Sequence, residues 1–132
     1  VAPIILVDNW KILYAELFEE LYQGLSEKTK KKVFFEFIFM TYSYIHKAIN
    51  AEAFPNAIDL YNKDIMTVRG KGKYTYNQTS RQEGEEFFRG LMERYFKNNK
   101  ILYFSWFNEY NKIENAFKIR TIYWRCPYLC VY

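Results

Sequence analysis

Aromatic side chains recur about every fifth residue along this chain: 12 Phe, 13 Tyr and 3 Trp make up 21% of its 132 residues. So many rings have two physical uses. They interlock in a core, or they offer flat faces to a partner, and which use dominates decides what the chain does.

The length predicts one globular domain over 1–132, large enough to bury a core without staples. Half of the residues are hydrophobic and 26% are charged, which excludes wholesale disorder. The formal net charge of +4 suits a nucleic acid, an anionic membrane or an acidic protein surface, and demands none of them. The opening VAPIILV is too short for a signal peptide or a membrane span, so no span is predicted and a cytoplasmic location is the expectation. The absence of a starting Met predicts that a segment before Val1 has been removed and could have carried a further module.

From Trp10 the apolar residues are Trp10, Leu13, Tyr14, Leu17, Phe18 and Leu21, a helical stripe. Asp8 is the predicted cap and Gly24 the residue that ends the helix. Ser26 is expected to cap a second helix over 27–50, whose apolar stretch 33–45 would be the buried centre of the domain. Pro55 and Asn56 can start a short third helix. The alternation from Val68 to Tyr76, with Gly70 and Gly72 between cations, predicts a hairpin or a loop leading into a strand. Ser80 and Glu83 match a capping box that opens a helix to about Lys97. Residues 101–107 and 116–125 read as strands. The sum is α+β: three main helices packed with a small late antiparallel sheet, with an all-α bundle as the rival. Trp10, Leu17, Phe18, Phe37, Ile38, Phe88 and Leu91 are the predicted core.

The segment Arg69-Gly70-Lys71-Gly72-Lys73 is the most suggestive for function. Glycines let backbone amides turn toward an anion, the cations supply charge, and Tyr74 and Tyr76 follow at strand spacing for stacking. It lacks the spacing of a P-loop or of a dinucleotide fingerprint. Lys118, Arg120 and Trp124 share one face of the late strand and extend the same chemistry. The run Lys28, Lys30, Lys31 and Lys32 sits where a helix dipole would disfavour it, so phosphate, anionic lipid or an acidic partner is a possible use beside plain solvation.

Other chemistry is poorly supplied. Cys126 and Cys130 with the single His46 cannot make a four-ligand zinc site, and the two thiols are expected to be unpaired. His46 reads as a core residue. The sequon Asn77-Gln78-Thr79 carries little weight without secretion. No Ser/His/Asp or Cys/His arrangement can be drawn from one His. The reading that follows is a small non-enzymatic binding or regulatory protein. Arg69, Lys71, Lys73, Tyr74, Tyr76, Lys118, Arg120 and Trp124 would engage nucleic acid or an acidic protein surface, without catalytic residue, metal or cofactor and with homo-oligomerisation open. Two alternatives stand beside it. One is a ligand-sensing domain with an apolar pocket lined by Phe34, Phe37, Tyr44, Phe88 and Tyr95. The other is a metal-dependent nuclease whose carboxylates Asp59, Asp64, Glu83, Glu85 and Glu86 converge.

Overall fold

Phe18, Phe37 and Phe88 are fully buried, and each comes from a different element. The computed structural model describes residues 1–105. In chain order these form α1 (Trp10–Gly24), α2 (Glu27–Lys30), β1 (Phe35–Ile38), β2 (Thr41–Ser43), α3 (Tyr44–Ala53), β3 (Met66–Gly70), β4 (Lys73–Tyr76), α4 (Gln78–Tyr95) and β5 (Ile101–Ser105). The fold is α+β, and the all-α rival is set aside.

The helix expected over 27–50 does not exist. Ser26 does cap, its hydroxyl accepting from Thr29 N, but the helix it starts lasts four residues. The chain then runs extended, with Phe35 and Phe37 buried and Glu36 exposed between them. Phe, Val, Ile, Thr and Tyr dominate this stretch, and their crowded side chains favour a pleated, packed strand over a helix. Ser43 then caps α3, its hydroxyl accepting from His46 N at 3.1 Å. His46 is half-buried on that first turn.

Two small sheets result. β1 pairs in parallel with β5, placing Phe37 against Phe104 with ring centroids 4.8 Å apart. The N-terminal residues run along the other side of β1, where Ile4 N donates to Ile38 O and Met40 N to Ile4 O. β2, β4 and β3 form an antiparallel sheet in that order. Among the described residues the antiparallel sheet therefore lies in the middle of the chain. The predicted strand 116–125 lies outside the described residues, as does the thiol pair Cys126 and Cys130. No helix forms at Pro55: Ala57 N closes a turn on Phe54 O, and the Asp59 carboxylate accepts from Tyr61 N.

α1 and α4 pack together through rings, with Trp10 edge-on to Phe87 at 4.9 Å and Tyr14 edge-on to Phe88 at 5.1 Å. Two caps differ from expectation. Asn9, not Asp8, precedes α1, in a left-handed conformation and with no side-chain cap. Asn77, not Ser80, caps α4, accepting from Ser80 N at 2.9 Å, while its own amide donates to Asp64 O. Ser80 is buried inside the helix, and Glu83 instead pairs with Lys11. At the other end of α1, Gly24 remains helical and Leu25 N closes the last turn on Leu21 O. Of the predicted core, Phe18, Phe37, Phe88 and Leu91 are buried, Trp10 and Ile38 are half-buried, and Leu17 is 43% exposed. Leu17 fails because α1 turns Phe18 and Tyr14 toward the core, which places its neighbour on the rim.

Among the described residues no helix is long and apolar enough to cross a membrane. Gly84 of α4 lies against Phe39, and a Cβ there would come within 2.7 Å of the buried ring, whereas one on Gly90 would meet nothing within 4 Å. Gly90→Ala is therefore expected to raise stability by up to about 1 kcal/mol through helix propensity. Gly84→Ala should lower it by about 1–3 kcal/mol through overpacking, and Phe37→Ala or Phe88→Ala by about 3–5 kcal/mol. Urea unfolding of the four variants checks both signs; a stabilised Gly84→Ala would refute the close packing of α4 on Phe39.

Candidate functional site

The hairpin β3–β4 projects the basic segment that the sequence singled out. Gly70 faces Lys73 across it, leaving Lys71 and Gly72 as a two-residue turn. Both turn residues have positive φ, 52° at Lys71 and 67° at Gly72, as a type I′ hairpin turn requires. Gly72 supplies that conformation freely, but lysine does not: its Cβ crowds the following carbonyl there. The register also shifts by one residue at Arg69, which re-aims its side chain relative to a regular strand. From Ile65 to Gln82 the chain carries Arg69, Lys71, Lys73 and Arg81 and no carboxylate.

The hairpin is held at its base. β4 is the middle strand of its sheet, with Tyr42 and Val68 both opposite Tyr74, and Tyr44 N donates to Gly72 O at 2.8 Å. The Tyr74 ring is half-buried and edge-on to Tyr61 at 4.7 Å. The Lys47 ammonium lies 4.7 Å from the Tyr61 ring and 2.8 Å from the Asp59 carboxylate. That hydrogen bond holds the Asp59 carboxyl below the usual carboxylate range and the Lys47 ammonium above its own.

Tyr76 does not belong to the exposed set. It is 1% exposed, and its hydroxyl accepts from Leu6 N at 2.9 Å. Strand alternation explains the correction: residues two apart share a face, but β4 ends where the sheet meets the core, so Tyr76 is covered and Tyr74 only partly. Burial pushes the Tyr76 hydroxyl up to about 12. Tyr44, assigned from sequence to a pocket, is instead 63% exposed beside Gly72. A tyrosine that opens a helix directly after a strand gives no sequence signal of that placement. Lys71 and Lys73 are exposed and Arg69 half-exposed. Lys118, Arg120 and Trp124 lie outside the described residues.

The alternative sites do not assemble. Phe37 and Phe88 pack ring on ring at 4.9 Å, while Phe34 and Tyr44 are exposed, so these residues enclose no common pocket. A cleft of about 630 Å³ lies instead between α3 and residues 54–60. Asp59 pairs with Lys47, Glu83 with Lys11 and Glu85 with Arg89. Among the described residues no three His, Cys, Asp or Glu side chains cluster as a metal site, so the nuclease reading fails. The macrodipole argument for the lysine run also lapses, because α2 is four residues long and Lys28 and Lys30 stand in its last turn.

Comparison with known proteins assigns the chain to an enzyme family. Residues 1–105 match the family described as SPL, spore photoproduct lyase, and the chain belongs to that family. It is 32% identical over 107 residues to the spore photoproduct lyase of Clostridium acetobutylicum, covering 78% of this chain and 31% of that protein. Solved structures of a spore photoproduct lyase match with a TM-score of 0.69 at 28% identity, over 80% of this chain and 32% of theirs. One is complexed with dinucleoside spore photoproduct, and another is a variant with AdoMet and the same dinucleoside bound. The chain thus spans about a third of the length of these relatives. Membership in a lyase family overturns the expectation of a non-enzymatic regulatory protein, which rested on missing catalytic motifs.

The buried tyrosine sets an alkaline limit. Unfolded, the Tyr76 hydroxyl ionises near its ordinary value of 10.0; folded, only near about 12. Its contribution to stability is therefore complete below about pH 10 and is lost as pH rises toward 12. Tyr14 and Tyr42 are raised by burial too and lose stability in the same direction. Tyr76→Phe should flatten this alkaline loss while costing about 1–3 kcal/mol at neutral pH, since Leu6 N loses its acceptor. Thermal unfolding of both proteins between pH 7 and 12 measures the two effects, and an unchanged alkaline slope would show that Tyr76 is solvated.

Proposed function

We propose that this chain serves in an enzyme of the spore photoproduct lyase type, acting on a photoproduct within nucleic acid, and that the β3–β4 hairpin grips the nucleic-acid backbone. The observation that carries the reading is the placement of Lys71. A type I′ turn favours Asn or Gly at that position, and a lysine there is disfavoured by backbone sterics. Local stability does not account for the residue; a phosphate contact at the hairpin tip does. Family membership supports the same partner, since solved relatives hold a dinucleoside photoproduct.

In this reading Arg69, Lys71 and Lys73 meet phosphate oxygens, which carry affinity without reading sequence. Tyr44 and Tyr74 supply ring faces near the turn for an unstacked base. The described residues bind and orient; no bond-breaking step is assigned to them. The cleft between α3 and residues 54–60 offers AdoMet no free counter-charge for its amino-acid end, because its charged groups, Lys47 and Asp59, are consumed by their own ion pair. A cytoplasmic location accords with work on nucleic acid.

Lys71→Asn separates binding from folding, because asparagine suits the turn and removes one cation. The variant is expected to unfold no more easily, gaining up to about 1 kcal/mol, and to lower the log–log salt slope of binding by about 0.9. Tyr44→Ala and Tyr74→Ala should instead each cost about 1–3 kcal/mol of binding at fixed salt. The probe is an oligonucleotide carrying spore photoproduct, titrated at several salt concentrations. An unchanged slope in a folded Lys71→Asn protein would remove the hairpin from the interface.

A further inference from the structure

The lysine run and the α4–β5 connection are far apart in sequence, but the structure ties them together. The Asn99 side-chain amide donates to Lys30 O at 2.6 Å and to Val33 O at 2.9 Å, and Phe35 N donates to Lys100 O at 3.0 Å. Two basic segments, 27–32 and 93–100, are thereby fastened at the start of β1. Together they hold seven cations against two carboxylates, an excess of five, where the whole chain carries a net charge of +4.

The fold itself uses only part of this charge. The Lys30 ammonium is 2.8 Å from Glu27 and 3.9 Å from the Tyr22 ring, and Lys97 pairs with Glu93 at 3.1 Å. Both carboxylates of the region are thus taken. Lys28, Lys31, Lys32 and Lys100 are exposed and make no ion pair among the described residues. Fastened like charges repel, and the two carboxylates of these segments offset only part of that repulsion.

We infer that the Asn99-fastened lysine cluster is a second phosphate-binding surface, separate from the hairpin, that holds the flanking backbone of the same nucleic acid. The inference rests on the nucleic-acid reading above for its choice of polyanion. The reach is compatible. Residues 33–44 run from the cluster to Tyr44, whose N–H meets Gly72 at the hairpin turn. Even fully extended, that stretch spans no more than about 43 Å, a little over one turn of a duplex. One duplex of moderate length is therefore enough to touch both surfaces.

The test replaces Lys28, Lys31, Lys32 and Lys100 by Ala together, with a matched quadruple Lys→Arg protein, in the 132-residue chain. Binding to a 20-base-pair duplex carrying spore photoproduct is followed over a salt series, beside Lys71→Asn. The Ala variant should lower the log–log slope by up to about 3.6 without loss of thermal stability, and the Arg variant should keep both slope and stability. A slope unchanged in the folded Ala variant, with Lys71→Asn still lowering it, overturns the second surface and leaves the hairpin reading standing. The reverse pattern overturns the hairpin and supports the cluster. Vesicles of phosphatidylserine and phosphatidylcholine form the last arm: lysine-dependent vesicle binding without lysine-dependent duplex binding would make the cluster a lipid contact and sink the inference.

Discussion

Everything else in this structure depends on the packing of Phe18, Phe37 and Phe88 at the junction of α1, β1 and α4. The Phe88 ring lies 4.9 Å from Phe37, 5.1 Å from Tyr14, 5.5 Å from Phe87 and 6.1 Å from Phe18, centroid to centroid. Phe37 carries the cluster on to Phe104 of β5. Rings pack as rigid plates with preferred offset and edge-on arrangements, so a core built of them fixes orientation as well as distance. A parallel pair as short as β1 and β5 gains little from its own hydrogen bonds. It is the ring cluster, closed by the crossover through α4, that holds the two strands in register.

The same packing leaves the hairpin exposed while anchoring it. Tyr76 ends β4 inside the core and accepts a hydrogen bond from Leu6, and two residues away Tyr74 is only half-buried. The strand therefore passes from buried to solvated within a few residues. Its basic turn is presented on a strand hydrogen-bonded on both sides, the arrangement that lets a small number of cations be placed accurately. Ion pairs at the periphery, such as Lys47 with Asp59 and Lys11 with Glu83, are exposed and contribute little stability, but they remove the acidic residues from any shared site.

The largest structural revision, a strand where a helix was expected, has a local cause. A stretch such as VFFEFIFMTY is apolar at nearly every position, and a period of 2 and a period of 3.6 cannot be told apart when almost all positions are apolar. Glu36, exposed between two buried phenylalanines, was the local sign of a strand. The enzyme family was not legible for a different reason. Catalytic spacing motifs mark chemistry, whereas this chain covers about a third of its relatives' length and its described residues form no metal-ligand cluster.

By itself the sequence determined the amphipathic helices α1 and α4, the hairpin around Lys71 and Gly72, and the burial of Phe18, Phe37, Phe88 and Leu91. These follow from local periodicity and turn chemistry, which act over a few residues. Only the tertiary structure decided that residues 35–38 form a parallel strand with residues 101–105, that Asn77 rather than Ser80 caps α4, and that Tyr76 is covered while Tyr44 is not. It also decided that Asn99 fastens the lysine run to the turn after α4. Each of these depends on which segments distant in the chain come to share one interior, and no local pattern encodes that partner.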